Sequence, residues 1–279
     1  MQKENWYSLN QPEEVISPSL LVYPDRIQHN IELMISMIGD VTRLRPHVKT
    51  YKNADIINMQ MARGITKFKC ATIAEAELLG DCNAPDVLLA MQPIGPNAKR
   101  FVELIKKYPN SKFSTLVDNT QTLSILGELA KSNDIKISLW VDINNGMNRT
   151  GIIPDHDAAE LYSQLHQNLN LIAEGLHVYD GHLRNSNPAT RENECNSAFD
   201  AVLALQKTII NQNIPSPKIV AGGSPTFPFH SKRLNVEASP GTTLLWDSGY
   251  GSQFPEMKFL PAAVLFTRIL SKPTTGILC

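Results

Sequence analysis

From residue 42 onward, short apolar runs alternate with amphipathic stretches. That alternation marks βα units feeding a parallel sheet. Eight strands are predicted: Thr42–Arg45, Phe68–Ala71, Val87–Ala90, Phe113–Val117, Ile137–Val141, Ile172–Val178, Ile219–Val220 and Val236–Glu237. Helical spacing places Ile27, Ile31, Met34, Ile35 and Ile38 on one face of Arg26–Ile38. Further helices are read over Thr72–Leu79, Ala98–Lys107, Gln121–Lys131, Asp157–Gln167 and Ala198–Gln212. Thr72, three residues before Glu75, is a capping-box signal. Eight strands with crossover helices over residues 20–245 predict an α/β fold, a closed (β/α)8 barrel. The competing open, doubly wound sheet lacks the GxGxxG that its dinucleotide-binding version carries after the first strand.

The flanks read differently. Residues 1–19 are polar, with Pro12 and Pro18, and residues 246–279 include strand-like Phe266–Leu270 and Thr275–Cys279. A hairpin needs further partners. The two flanks are therefore expected to be parts of a second β-domain, of which a C-terminal remainder is missing.

Composition narrows the partners. Of 279 residues, 42% are hydrophobic and 19% charged, an ordinary globular balance. A net charge of −1 gives no basic face for nucleic acid. No apolar run nears the roughly 20 residues of a membrane span, and the first residues lack a signal-peptide pattern. A cytoplasmic protein without membrane or nucleic-acid partners is expected, and a homodimer is allowed. Cys70, Cys82, Cys195 and Cys279 form neither a CxxC pair nor a metal-ligand spacing. They are read as reduced thiols, Cys70 in the core and the others incidental, and no metal ligand is assigned.

In such a barrel the working residues sit at the C-terminal ends of the strands. Five polar loops fall there: Arg45–Thr50, Asn145–Gly151, His177–His182, Ala221–Thr226 and Ser239–Thr243. Gly222, Gly223 and Ser224, with Gly241 and Thr242, offer backbone N–H nests on adjacent strands, suited to a phosphate. Lys49, flanked by Arg45, His47 and Tyr51, faces that site. A lysine buried at its base loses charge more readily, and the neutral amine can attack an aldehyde. Arg149 carries a permanent charge for a cofactor ring or a carboxylate. His177 and Tyr179, two apart on a strand, share the barrel interior.

Taken in order, RPHVKT, GMNRTG, GLHVYDGH, AGGSPT and SPGTTLLWD resemble the D-threonine aldolase and D-serine dehydratase-like family. These are fold-type III pyridoxal-phosphate enzymes related to the N-terminal domain of alanine racemase. The resemblance runs from Ser17 to about Asp247. It implies that Lys49 holds the cofactor as a Schiff base and that Arg149 lies beside its ring. It puts His47, His177 and Tyr179 near the cofactor, and Gly222, Gly223, Ser224, Gly241 and Thr242 on the phosphate. Lys49 and His177 are the implied catalytic residues. Tyr51 stands where the family often has histidine, and Thr243 where it often has tyrosine. The resemblance also implies a divalent metal held by residues beyond Cys279. The expected activity is cleavage of β-hydroxy-D-amino acids to glycine and an aldehyde. The alternatives are a D-serine dehydratase, an amino-acid racemase, and a non-catalytic protein of pyridoxal-phosphate homeostasis.

Overall fold

The computed structural model describes residues 5–279, so the first four residues of the polar leader lie outside it. The elements, in order, are β1 (Ser19–Val22), α1 (Pro24–Ile38), α2 (Ala54–Met61), β2 (Lys67–Cys70), α3 (Ile73–Asp81), β3 (Asp86–Leu89), α4 (Pro96–Lys107), β4 (Lys112–Val117) and α5 (Thr120–Ser132). There follow β5 (Ile137–Ile143), α6 (His156–Gln167), β6 (Leu171–Val178), α7 (Pro188–Asn211), β7 (Lys218–Ala221), α8 (Phe227–His230), β8 (Val236–Ala238), α9 (Ser248–Gln253) and β9 (Ala263–Phe266).

Strands β2 to β8 form one parallel sheet in sequence order. The predicted first strand, Thr42–Arg45, is not a regular strand. Val41–Arg43 is a 3-10 turn, and the next four residues close the sheet by isolated bridges. Leu44 bridges Ala238 of β8, and His47 bridges Lys69 of β2. The Arg45 amide donates to the Ala238 carbonyl at 3.0 Å, and the Lys69 amide to the Pro46 carbonyl at 2.8 Å. Pro46 has no N–H, so a continuous ladder cannot form there. Residues 44–47 thus take the eighth position of the barrel wall.

Helix ends follow their caps. Thr72 accepts the Glu75 amide at 3.1 Å, and Glu75 reaches back to the Ala71 amide at 2.7 Å, so the sequence signal at α3 is a real cap. Asn187 caps α7 by accepting the Thr190 amide, so the helix starts at Pro188, ten residues before the predicted start at Ala198. Helix α2 was not predicted; Asn53 caps it, and it buries Ile56 and Ile57. The flanks do meet, through antiparallel pairing of β1 with β9. Only Phe266 of the predicted Phe266–Leu270 strand pairs, and Thr274–Ile277 is an isolated bridge. Among the described residues no helix is long and apolar enough to cross a membrane.

Inward side chains stack in three layers. At the N-terminal end Arg45 is bound by Asp86 and Glu237, both at 2.7 Å, and Lys67 also pairs with Glu237. Leu88, Leu116, Trp140 and Val220 fill the middle. At the C-terminal end the interior turns polar, with Lys69, Asp142 and His177 all buried. Outward residues such as Phe68, Val87 and Val141 join the larger core with Ile31, Met34, Phe101 and Leu126 from the helices.

Candidate active site at the barrel mouth

Two adjoining lobes open at the C-terminal end of the barrel. The larger, about 390 Å³, is lined by His47, Lys49, Lys69, Asp118, Asp142, Arg149, His177 and Tyr179 among others. The smaller, about 240 Å³, shares His47, Lys49, Lys69 and Tyr179 and adds Arg184, Gly223, Ser224, Gly241, Thr242 and Tyr250. Every site residue read from the sequence except Gly222 lines one lobe or both.

Gly222 acts from behind. Its φ is +85°, which L side chains rarely adopt, and a Cβ there would lie 2.6 Å from His230 Cδ2. The other glycines keep the small lobe open: a Cβ on Gly223 would meet Tyr179 Cε2 at 3.2 Å, and one on Gly241 would meet His47 Cβ at 3.3 Å. Ser224 Oγ accepts the amides of Gly241 and Thr242 at 3.1 and 2.9 Å, joining the two glycine turns. Thr50 Oγ1 donates to the Gly241 carbonyl at 2.8 Å, tying the lysine loop to the same wall.

Lys49 stands exposed at the rim of the cavity. Its own amide donates to His47 Nδ1 at 3.2 Å, which fixes His47 as the acceptor. Desolvation and then the Arg149 guanidinium hold the Lys49 amine below its ordinary pKa. Burial and the charges of Lys69 and Lys49 push His47 well down, so this imidazole is neutral. Lys49, Lys69 and Arg149 all approach the Tyr179 ring, at 5.6, 5.7 and 4.9 Å from its centroid. A cavity with a guanidinium and two amines around one aromatic ring and a glycine-lined lobe beside them suits an anionic, planar ligand.

Below the rim lies a chain of hydrogen bonds that the sequence reading missed. Thr150 Oγ1 donates to Asp142 Oδ2 at 2.9 Å, and Asp142 Oδ1 accepts His177 Nδ1–H at 2.7 Å. His177 Nε2 is thereby left as an acceptor and faces Lys69 Nζ at 3.5 Å. Burial raises the Asp142 pKa, but the His177 and Thr150 contacts outweigh it and hold the carboxyl below its ordinary value. Burial lowers His177. Burial, then the Lys49 charge, brings Lys69 down to about 7. The signal was present: KFKCA sets a lysine in the middle of a strand that a barrel buries.

A second buried cluster braces the glycine turn. Asp180, Cys195 and His230 bring metal-ligand-type atoms within 4.8 Å of one another, but each is already engaged. His230 Nε2 donates to Asp180 Oδ2 at 2.8 Å, Thr226 Oγ1 to Asp180 Oδ1 at 2.7 Å, and Arg233 Nε to His230 Nδ1 at 3.3 Å. Cys195, read as incidental, is therefore a core residue like Cys70. The two departures from the family pattern also leave the cavity. The Tyr51 hydroxyl accepts from Gln60 at 2.7 Å, and Thr243 is buried against Met34 of α1.

The chain is similar to several known proteins. A D-threonine aldolase from an Arthrobacter species is 23% identical over 265 residues, covering 93% of this chain and 69% of that protein. A D-threo-3-hydroxyaspartate dehydratase from a Delftia species is 23% identical over 224 residues, covering 75% of this chain and 56% of that protein. The crystal structure of D-threonine aldolase from Filomicrobium marinum matches with a TM-score of 0.85 at 25% identity, over 93% of this chain and 71% of that one. The chain thus spans between 56 and 71% of these relatives' lengths. The sequence profile of the alanine racemase N-terminal domain matches residues 22–248, most of the chain, and the chain belongs to that family.

Proposed function

We propose that this chain carries the cofactor barrel of a pyridoxal 5′-phosphate enzyme that cleaves β-hydroxy-D-amino acids to glycine and an aldehyde. One observation carries the reading. Lys49 stands on one side of a cavity whose small lobe is walled by the two glycine turns. An amine with a lowered pKa and an anion-binding wall in one cavity fit a ligand that is an aldehyde at one end and a phosphate at the other.

In this reading Lys49 Nζ binds the cofactor covalently. Ser224, Thr242 and the turns at Gly223 and Gly241 hold its phosphate, and Tyr179 and Arg149 confine its ring. When bound, the cofactor supplies an electron sink for charge that develops at the substrate's α-carbon. His47 orients the Lys49 loop and, being neutral, adds no charge beside the amine. The likeness to the D-threonine aldolases and to the hydroxyaspartate dehydratase supports a β-hydroxy-D-amino acid as the substrate.

Two measurements test the proposal. Borohydride treatment of protein loaded with pyridoxal phosphate should fix the cofactor on Lys49, as read by peptide mass spectrometry. Incubation with D- and L-threonine and with D- and L-3-hydroxyaspartate, with and without a divalent cation, should release glycine from the D-forms. Release of a keto acid and ammonia would select the dehydratase reading. Metal-independent interconversion of D- and L-alanine would sink the aldolase reading in favour of a racemase.

A further inference from the structure

Lys69 is 2% exposed and lines both lobes. Among the described residues no carboxylate lies within ion-pair distance of it, and its side-chain hydrogen bond is the one to His177. A buried, unpaired amine is costly unless a ligand or a reaction uses it. His177, by contrast, has both ring nitrogens engaged, Nδ1 by Asp142 and Nε2 by Lys69. No nitrogen of His177 is left to touch a ligand. Resting on the function read above, we propose that Lys69 is the acid–base residue of the cavity, carrying a proton between the atoms of the bound substrate, and that His177 and Asp142 position it.

The balance of the cleavage requires such a carrier. The O–H and Cα–Cβ bonds break, and a C=O and a Cα–H bond form. One proton leaves the β-oxygen and one arrives at the α-carbon, where the electron pair of the broken C–C bond receives it. The neutral amine of Lys69 takes the hydroxyl proton, becomes an ammonium, and returns the proton to the α-carbon, ending neutral. The charges around it suit both states. Lys49 and, more weakly, Arg45 favour the neutral amine, whereas Asp180 and Asp142 favour the ammonium. The neighbouring imidazoles, His47 and His177, both have lowered pKa values and stay neutral.

Two experiments decide the matter. In D2O, protein loaded with cofactor should exchange an α-proton of glycine, the return half of the transfer, which NMR can follow without C–C cleavage. Lys69→Met should slow this exchange by about 10²–10⁴-fold, and Lys69→Arg should not restore it. Both variants should still be fixed to the cofactor at Lys49 by borohydride. Exchange by Lys69→Met at the wild-type rate would overturn the proposal. Loss of the borohydride label from wild-type Lys49 would instead overturn the functional reading. The second experiment needs no cofactor, and its first half uses the wild-type protein alone. Competitive acetylation of the wild-type lysines across pH should give Lys69 a midpoint near 7, with surface lysines near about 10.4. Asp142→Asn removes a charge that favours the ammonium and should move that midpoint lower. A Lys69 midpoint among the surface lysines, or one unmoved by Asp142→Asn, would overturn the proposal.

Discussion

At the scale of single residues, the charged groups that matter divide into those at the rim and those below it. Lys49 is open to solvent at the mouth, whereas Lys69 is buried at the base of both lobes, beside Tyr179. Burial on that scale has a consequence for stability. Folding lowers the Lys69 pKa from about 10.4 to about 7, so the folded state binds fewer protons between those values. Stability therefore falls as pH drops from about 10 to 7 and is flat below. Lys69→Met, close in volume and without charge, should stabilise the ligand-free protein at pH 7 by on the order of a few kcal/mol and by little near pH 11. Urea unfolding at the two pH values measures this, and an equal gain at both would contradict the burial argument. The rim residues were legible because the loops that hold them are polar and rich in glycine. Lys69 and Asp142 were passed over. Each sits in a strand whose apolar neighbours define it as core, and only three-dimensional closure brings β2, β5 and β6 to one cavity.

At the scale of elements, strands were read more accurately than their surroundings. β2 to β8 stand within a few residues of the predicted runs, because a strand covered on both faces must be apolar along its length. Helix α7 was cut short because its first ten residues are largely polar, and the cap at Asn187 and Pro188 was the overlooked signal. Helix α2 is eight residues long, too short for its periodicity to stand out. The glycine turn after β7 shows how elements set the site. Gly222 needs its left-handed backbone, and His230, held by Asp180 and Arg233, leaves no room for a methyl group. Gly222→Ala should therefore destabilise the fold by roughly 1–3 kcal/mol. Gly223 has an ordinary backbone and faces the cavity. Gly223→Val should lower the unfolding midpoint less than Gly222→Ala does, since only the Tyr179 ring edge has to give, while weakening cofactor affinity by roughly tenfold or more. Thermal unfolding and an absorbance titration with pyridoxal phosphate distinguish the two. Equal loss of stability in both would remove the distinction between a turn that shapes the wall and a turn that receives the ligand.

At the scale of the whole molecule, the barrel separates a floor from a mouth by the apolar layer of Leu88, Leu116, Trp140 and Val220. The floor is ionic. Arg45, 1% exposed, is held by Asp86 and Glu237, and Lys67 shares Glu237. Arg45 was read from the sequence as a companion of Lys49 because the two are four residues apart. The chain runs through the wall between them, so Arg45 faces the floor and Lys49 the mouth. In such barrels the mouth is the working face and the floor serves stability. Removing one partner of a buried ion pair costs roughly 3–5 kcal/mol, because the remaining charge is left without compensation. Lys67 stays on Glu237, so Arg45→Met should fall near the lower end of that range. The loss should depend on pH in a defined direction. Burial pushes Asp86 up, but the Arg45 charge and hydrogen bonds outweigh it and hold the carboxyl below its ordinary value. A carboxylate depressed in this way stabilises the fold above its unfolded pKa of about 3.9, and the contribution disappears as pH falls through the lower folded value. The gap in stability between wild type and Arg45→Met should accordingly be full at pH 7 and narrow below pH 4. Affinity for pyridoxal phosphate, measured at a temperature where both proteins are folded, should stay the same, since the apolar layer stands between Arg45 and the ligand lobes. A strong loss of affinity would show that floor and mouth are coupled through the barrel wall rather than insulated by its core.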